Sequence, residues 1–258
     1  MTAATRAAAL SEVGYTLLPS LHPAHEVERL HAAIAEVYEG LGAPGTHAVP
    51  PQHPAPDVEI SVVGLVMHQL GKHCGALADV LLRPEAVAVA EQALGPGMFL
   101  EYTAAVVNRG ERPFFPWHMH VGGVDNVKYR KEGLFPRFER LERLTMLTYL
   151  TDLDPEHGEL LVFPRSITDP QEPPHSPNEP SWPGAEKIAC RRGSVALLDQ
   201  STWHAALPKQ SPGLRVFIAC YFAAAHARPT SWVDRSWEGL AAEGSLLAST
   251  LRAQPSLA

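Results

Sequence analysis

The sequence predicts a mainly β fold, a sandwich or barrel, with flanking helices. Short apolar segments rich in β-branched and aromatic residues recur between residues 99 and 222. Turn residues bound them, including Gly110, Gly158, Pro164, Gly193, Pro208 and the Pro212, Gly213 pair. Helical periodicity is confined to the first 95 residues and the tail, so the pattern is not that of βαβ units.

The strand segments are 99–108, 143–151, 158–164, 193–199, 202–207 and 214–222. Ahead of them, 14–19 (GYTLLP) reads as a strand ended by proline. A helix follows, with Val27, Leu30, Ile34 and Val37 at helical spacing up to Gly40. Residues 42–56 hold five prolines and read as an irregular loop. Residues 75–95 suggest two short helices broken at Arg83 and Pro84, the second stopping at Gly95. Residues 236–252 read as a closing helix. One domain over 1–258 results: a mostly helical part (1–95), a β core (96–225) and the C-terminal helix. Two inserts interrupt the core, 122–142 and 166–183. Long inserts of this kind often cover a site, and both are read as lids.

Composition narrows the function classes. The 258 residues are 45% hydrophobic and 19% charged, enough for one large domain with a real core. A net charge of −7 argues against non-specific nucleic-acid binding. Cys74, Cys190 and Cys220 show no C-x-x-C spacing, which points to a reducing compartment. No apolar run approaches a membrane span, and the first ten residues do not resemble a secretory leader. A soluble, cytoplasmic protein is expected, with neither nucleic acid nor membrane as partner.

The chemistry centres on 116–123, PWHMHVGG. In a strand, residues i and i+2 share a face, so His118 and His120 aim at one point while Trp117 and Met119 face the other way. A second Trp-His pair, Trp203 and His204, stands on a later strand. Three imidazoles from two strands make a metal site, and imidazole suits Fe, Zn, Cu and Ni alike. Arg215 follows on the next apolar strand. A buried arginine needs an anion, and its fork fits a carboxylate. The pair of features suits a chelating keto acid.

These segments resemble the phytanoyl-CoA dioxygenase-like group of iron(II)/2-oxoglutarate-dependent oxygenases over most of the chain. VGYTLLPSL with EVERLHAAI, and ALADVLLRPEAVAVAEQALG, are similar to the family's N-terminal elements. PWHMH sits where the family has a His-x-Asp motif. DLDPEHGELLVFPRS looks like its Pro-Gly-Ser-His segment, with Arg165 in place of the usual glycine. RGSVALLDQSTWHAALPKQSPGLRVFIACYF resembles the distal histidine and arginine block, with Ala206 where some members carry a hydroxyl. The resemblance implies a double-stranded β-helix, a cupin-like jelly roll. It implies Fe(II) and 2-oxoglutarate as cofactor and co-substrate, and O2 and a small molecule as partners. It makes His118 and His204 metal ligands, Arg215 the 2-oxoglutarate anchor and Asn108 a candidate to hydrogen-bond the co-substrate.

His120 replaces the family's aspartate, and three readings stay open. His120 is the third ligand; or it is the proximal ligand of a His-x-Gly site, as in iron halogenases; or it is no ligand, and Asp125 or water fills the position. A three-histidine zinc site for hydrolysis and a non-catalytic jelly roll binding a small acid are rival functions. Of the other histidines, His31, His47, His53, His68, His73, His157 and His175 read as surface or structural, and His226 as outside the site. Trp117 and Trp203 read as core, and Glu159 and Asp199 as turn residues, with Asp199 able to orient His204. Lys128, Arg130 and Arg192 are candidates to meet an acidic substrate.

Overall fold

The computed structural model describes residues 1–120, 138–227, 230 and 233–252. Two antiparallel sheets face each other. The larger has eight strands: β1 (Tyr15–Leu18), β10 (Val195–Asp199), β7 (Arg143–Tyr149), β12 (Leu214–Ala223), β5 (Phe99–Arg109), β4 (Leu65–His68), β3 (Val58–Ile60) and β2 (Gln52–Ala55), in that spatial order. The smaller runs β6 (Phe115–His118), β11 (His204–Ala206), β8 (Leu160–Val162) and β9 (Glu186–Ile188). This is the jelly roll.

Alternation assigns the faces. Along β5, Ala105 and Val107 join the core that holds Leu30 and Ile34 of α2 (Ala24–Gly40) and Val87 and Ala90 of α4 (Pro84–Leu94). The alternate residues Tyr102, Ala104 and Val106 face the space between the sheets. β12 does the same: Val216, Ile218 and Cys220 pack toward the helices, and Arg215, Phe217, Ala219 and Tyr221 face inward. α4 begins at Pro84, where a missing N–H costs nothing, and ends at Gly95 with φ of 85°. An additional helix, α1 (Ala3–Glu12), opens the chain, its end capped by the Thr2 hydroxyl accepting from the Thr5 N–H at 3.1 Å.

Several expectations need correction. The part before residue 95 is not mostly helical. β2, β3 and β4 extend the main sheet from within it, and β2 lies inside the proline-rich stretch expected to be irregular. β2 is an edge strand, where proline removes no ladder bond. The first helix of 75–95 is reduced to a 3-10 turn at Gly75–Leu77, which follows directly on the four-residue α3 (Gly71–Cys74). The closing helix is α5 (Leu246–Arg252), shorter than 236–252. The segment ahead of it is fixed on β5 instead: Asp234 accepts from the Thr103 N–H at 2.9 Å, and Trp237 Nε1 donates to Thr103 Oγ1 at 3.0 Å.

The insert at 166–183 does not cover the space between the sheets. It lies on the outer face of the smaller sheet. The Trp182 ring stacks on Trp117 at 4.3 Å and touches Trp203 at 5.6 Å. Trp117 Nε1 donates to the Glu179 carbonyl at 2.9 Å, and Trp203 Nε1 to the Gln171 carbonyl at 3.1 Å. Arg165, in place of the family glycine, donates to the carbonyls of Asp169 and Pro170 at the insert's start. Most of the 122–142 insert, residues 122–137 with Asp125, Lys128 and Arg130, lies outside the described residues.

One ion pair is buried in the main sheet. Arg143 on β7 reaches across β12 to Glu101 on β5, with Nε to Oε2 at 2.9 Å and Nη2 to Oε1 at 3.0 Å. Thr230 donates to the same carboxylate. Desolvation offsets much of the attraction, whereas an unpaired survivor is costly. Arg143→Met alone should therefore lower unfolding stability by about 3–5 kcal/mol, and Arg143→Met with Glu101→Leu should recover most of it, read by urea denaturation. Trp182→Ala should cost about 3–5 kcal/mol by the same measurement.

Candidate metal centre

β6 and β11 pair so that His118 stands directly opposite His204. His120 follows two residues beyond His118, its N–H bonded to the Gln200 carbonyl at 2.9 Å. Trp117 and Met119, the alternate residues, are buried in the outer cluster with Trp182 and Trp203. The two indoles thus pack behind the strands whose front carries the imidazoles. The three histidines each offer a ring nitrogen, and these nitrogens all lie within 4.8 Å of one another. Ring centroids are 4.1 Å apart for His118 and His204, 4.9 Å for His120 and His204, and 5.2 Å for His118 and His120. Metal–imidazole bonds of about 2.1 Å bring neighbouring nitrogens to roughly 3 Å, so an ion would draw this set inward.

Backbone carbonyls fix two of the tautomers. His118 Nδ1 lies 2.9 Å from the Pro116 carbonyl, and His204 Nδ1 lies 2.9 Å from the Thr202 carbonyl. A carbonyl only accepts, so Nδ1 carries the proton and Nε2 the lone pair, the arrangement of a metal-binding imidazole. Burial pulls the His204 pKa down to about 4, partly offset by that carbonyl, so the ring is neutral near pH 7. Thr202 is itself held through its hydroxyl, which donates to the Gly14 carbonyl at 2.8 Å. Gly14 has φ of 83°, and a Cβ there would collide with that hydroxyl. Asp199 does not orient His204. It is buried and bonded to the Ser201 hydroxyl, and burial raises its pKa to about 7.

Across the cavity, Arg215 is 4% exposed, and its Nε has no hydrogen-bond partner. Its guanidinium lies 5.1 Å from the Phe217 ring centre and 5.8 Å from that of Tyr149. Asn108 is its register partner on β5 and is also buried, with both amide atoms unpartnered. Burial lowers the Arg215 pKa. Two further cations, missed in the sequence, share this end. Arg112 donates to the Pro113 and Leu207 carbonyls, and burial, then Arg215, lowers its pKa to about 9. Lys209 donates to the Gly110 and Ser211 carbonyls. Among the described residues none of the three meets a carboxylate. The local sequence, a run of polar residues and prolines, gave no sign that Arg112 would be buried.

The cavity between the sheets measures about 310 Å³. Arg112, Arg215, His118, His120 and His204 all line it, with Ala206 on its wall. His68 lines it too, against expectation. Nothing in its local sequence separates an inward strand end from a surface one. Other histidines stay away: His47, His53, His175 and His226 are exposed, His73 is half-buried in α3, and His31 and His157 border a separate surface hollow with Arg192. Glu159 is buried at a turn whose carbonyl accepts from Leu207. No helix among the described residues is long and apolar enough to cross a membrane.

Solved structures with this fold include the non-heme alpha ketoglutarate dependent carbocyclase SnoK from nogalamycin biosynthesis. It is 21% identical, with a TM-score of 0.63 over 87% of this chain and 87% of that one. EctD from S. alaskensis with 2-oxoglutarate and 5-hydroxyectoine is 19% identical, with a TM-score of 0.64 over 88% of this chain and 77% of that one. HygX from Streptomyces hygroscopicus with nickel and 2-oxoglutarate bound is 14% identical, with a TM-score of 0.59 over 86% of this chain and 87% of that one. At these identities the likeness concerns the fold. No curated protein sequence matches the chain. The family relation reaches further, because residues 10–217 match phytanoyl-CoA dioxygenase (PhyH) from α1 into β12; the chain belongs to the PhyH family of iron(II)/2-oxoglutarate-dependent oxygenases.

Proposed function

We propose that this protein oxidises a C–H bond of a small molecule at an iron(II) centre held by His118, His120 and His204, with 2-oxoglutarate as co-substrate and O2 as oxidant. The observation that carries this reading is the convergence of three imidazoles across the cavity from a buried arginine that meets no carboxylate among the described residues. Iron(II) with 2-oxoglutarate supplies oxidation of an unactivated carbon, coupled to decarboxylation of the co-substrate to succinate and CO2.

The residues fit both groups. Neutral Nε2 lone pairs on His118 and His204 suit a divalent ion. Arg215 pairs with the far carboxylate of 2-oxoglutarate as a bidentate fork, and that pairing relieves the cost of burying its charge. Asn108 offers an amide hydrogen bond at the same end. Arg112 and Lys209 add positive potential that favours a dianion. Leu147, Leu160 and Phe217 line the cavity and keep water from the reacting centre.

His120 takes the place of a carboxylate as third ligand. The exchange leaves one more unit of positive charge on the metal, which strengthens the hold on a dianion. The His-x-Gly and Asp125 alternatives involve residues outside the described ones. Hydroxylation is the simplest outcome for such a site, and biosynthetic tailoring is a context in keeping with SnoK's place in nogalamycin biosynthesis.

Anaerobic Fe(II) followed by 2-oxoglutarate should give a visible charge-transfer band. Zinc retention with no such band would favour a hydrolase, and no bound metal at all a binding protein. Arg215→Leu should weaken 2-oxoglutarate binding about 100-fold, as loss of one member of a buried charge pair does, while iron affinity stays. His120→Ala should weaken iron binding by roughly 100-fold or more, since even outer-shell partners cost 10–100-fold. His120→Asp should keep it. Unchanged iron affinity in His120→Ala would remove His120 from the ligand set.

A further inference from the structure

The β3–β4 flank of the cavity carries polar groups that neither the metal nor a co-substrate at Arg215 uses. Val58 and Ile60 are buried in the helix-side core, so alternation turns Glu59 toward the cavity, which it lines. Glu59 stands opposite Val66 on β4, and His68 stands opposite Ala104 on β5. His68 Nδ1 is hydrogen-bonded to the Tyr102 hydroxyl, and His68 Nε2 lies 3.9 Å from Glu59 Oε2.

Protons in this row are assigned by burial. Desolvation lowers the His68 pKa, with Glu59 and Asp57 offsetting it only in part. Desolvation raises that of the Tyr102 phenol. The phenol therefore donates to Nδ1, and Nε2, 3.9 Å from the carboxylate, carries the ring proton. A neutral tyrosine and a neutral imidazole leave the row with one net negative charge, on Glu59. That side chain is 30% exposed, and among the described residues its ionic contact is the 3.9 Å approach of a neutral ring. Among the described lining residues Glu59 is the only carboxylate. The walls beside it are Val63, Val66, Val106 and Phe217.

We infer that Glu59, with the His68 ring beside it, binds the protonated amine of a substrate whose apolar body lies against Val63, Val66 and Phe217. The inference rests on the oxygenase reading for what fills the arginine end. The two ends of the cavity then sort ligands by charge: the diacid goes to Arg215 and Arg112, and the ammonium group to Glu59. Three neutral imidazoles, a divalent ion and a dianion sum to zero, so the centre does not repel a cationic substrate.

Calorimetric titration of the full-length protein with cyclohexylamine and with its neutral isostere cyclohexanol tests this. Wild-type protein should bind the amine about tenfold more tightly than the alcohol, the effect of one partly desolvated charge pair. Glu59→Gln should bring the ratio near one at unchanged Tm, and Glu59→Asp should keep a preference for the amine. Equal affinities in the wild type, no binding of the amine, or a preference that survives Glu59→Gln would each overturn the inference. A wild-type protein that ignores 2-oxoglutarate would sink the oxygenase reading instead, and that titration is separate from the amine-to-alcohol ratio.

Discussion

Three imidazoles and a guanidinium that meets no carboxylate among the described residues face each other across one cavity. The antiparallel pairing of β6 with β11 creates the first group by setting His118 against His204. The alternation of β12 creates the second by turning Arg215 inward between Val216 and its helix-side neighbours. Buried charge of one sign is expensive, and Arg112 and Lys209 increase that cost at the same end. On the proposed reading, a dianion that also reaches a metal at the imidazoles would settle both demands at once.

The architecture protects this arrangement from behind. Trp117 and Trp203 stand one residue from His118 and His204, so alternation places them on the outer face. There the insert at 166–183 accepts from both indoles and stacks Trp182 on Trp117. A segment expected to close over the site acts instead as its backing. Gly14 adds a second restraint by seating Thr202, whose carbonyl sets the His204 tautomer. The N-terminal turn thereby reaches the His204 ring through two hydrogen bonds.

Much of this was legible in the sequence because it depends on period two. His118 with His120, the outward Trp117, and Arg215 in an apolar strand all follow from alternation, and the later β segments stand close to their expected bounds. What escaped depends on long-range packing. β2 is proline-rich and survives as an edge strand. β3 and β4 join β5 only through tertiary pairing, so Glu59 and His68 gave no local sign of lining the cavity. Arg112 is buried by partners 95 and 97 residues away, the Leu207 carbonyl and the Lys209 backbone. The 236–252 tail is amphipathic enough to read as a helix, yet the bonds of Asp234 and Trp237 to β5 hold its first part in turns.

The central claim is that three imidazoles, with no carboxylate among them, share one metal ion. X-ray absorption spectroscopy of the anaerobic Fe(II)-loaded protein counts imidazole rings directly through their multiple-scattering pattern. Three imidazoles per iron are expected. A best fit of two imidazoles, with the remaining ligands oxygen, would contradict it.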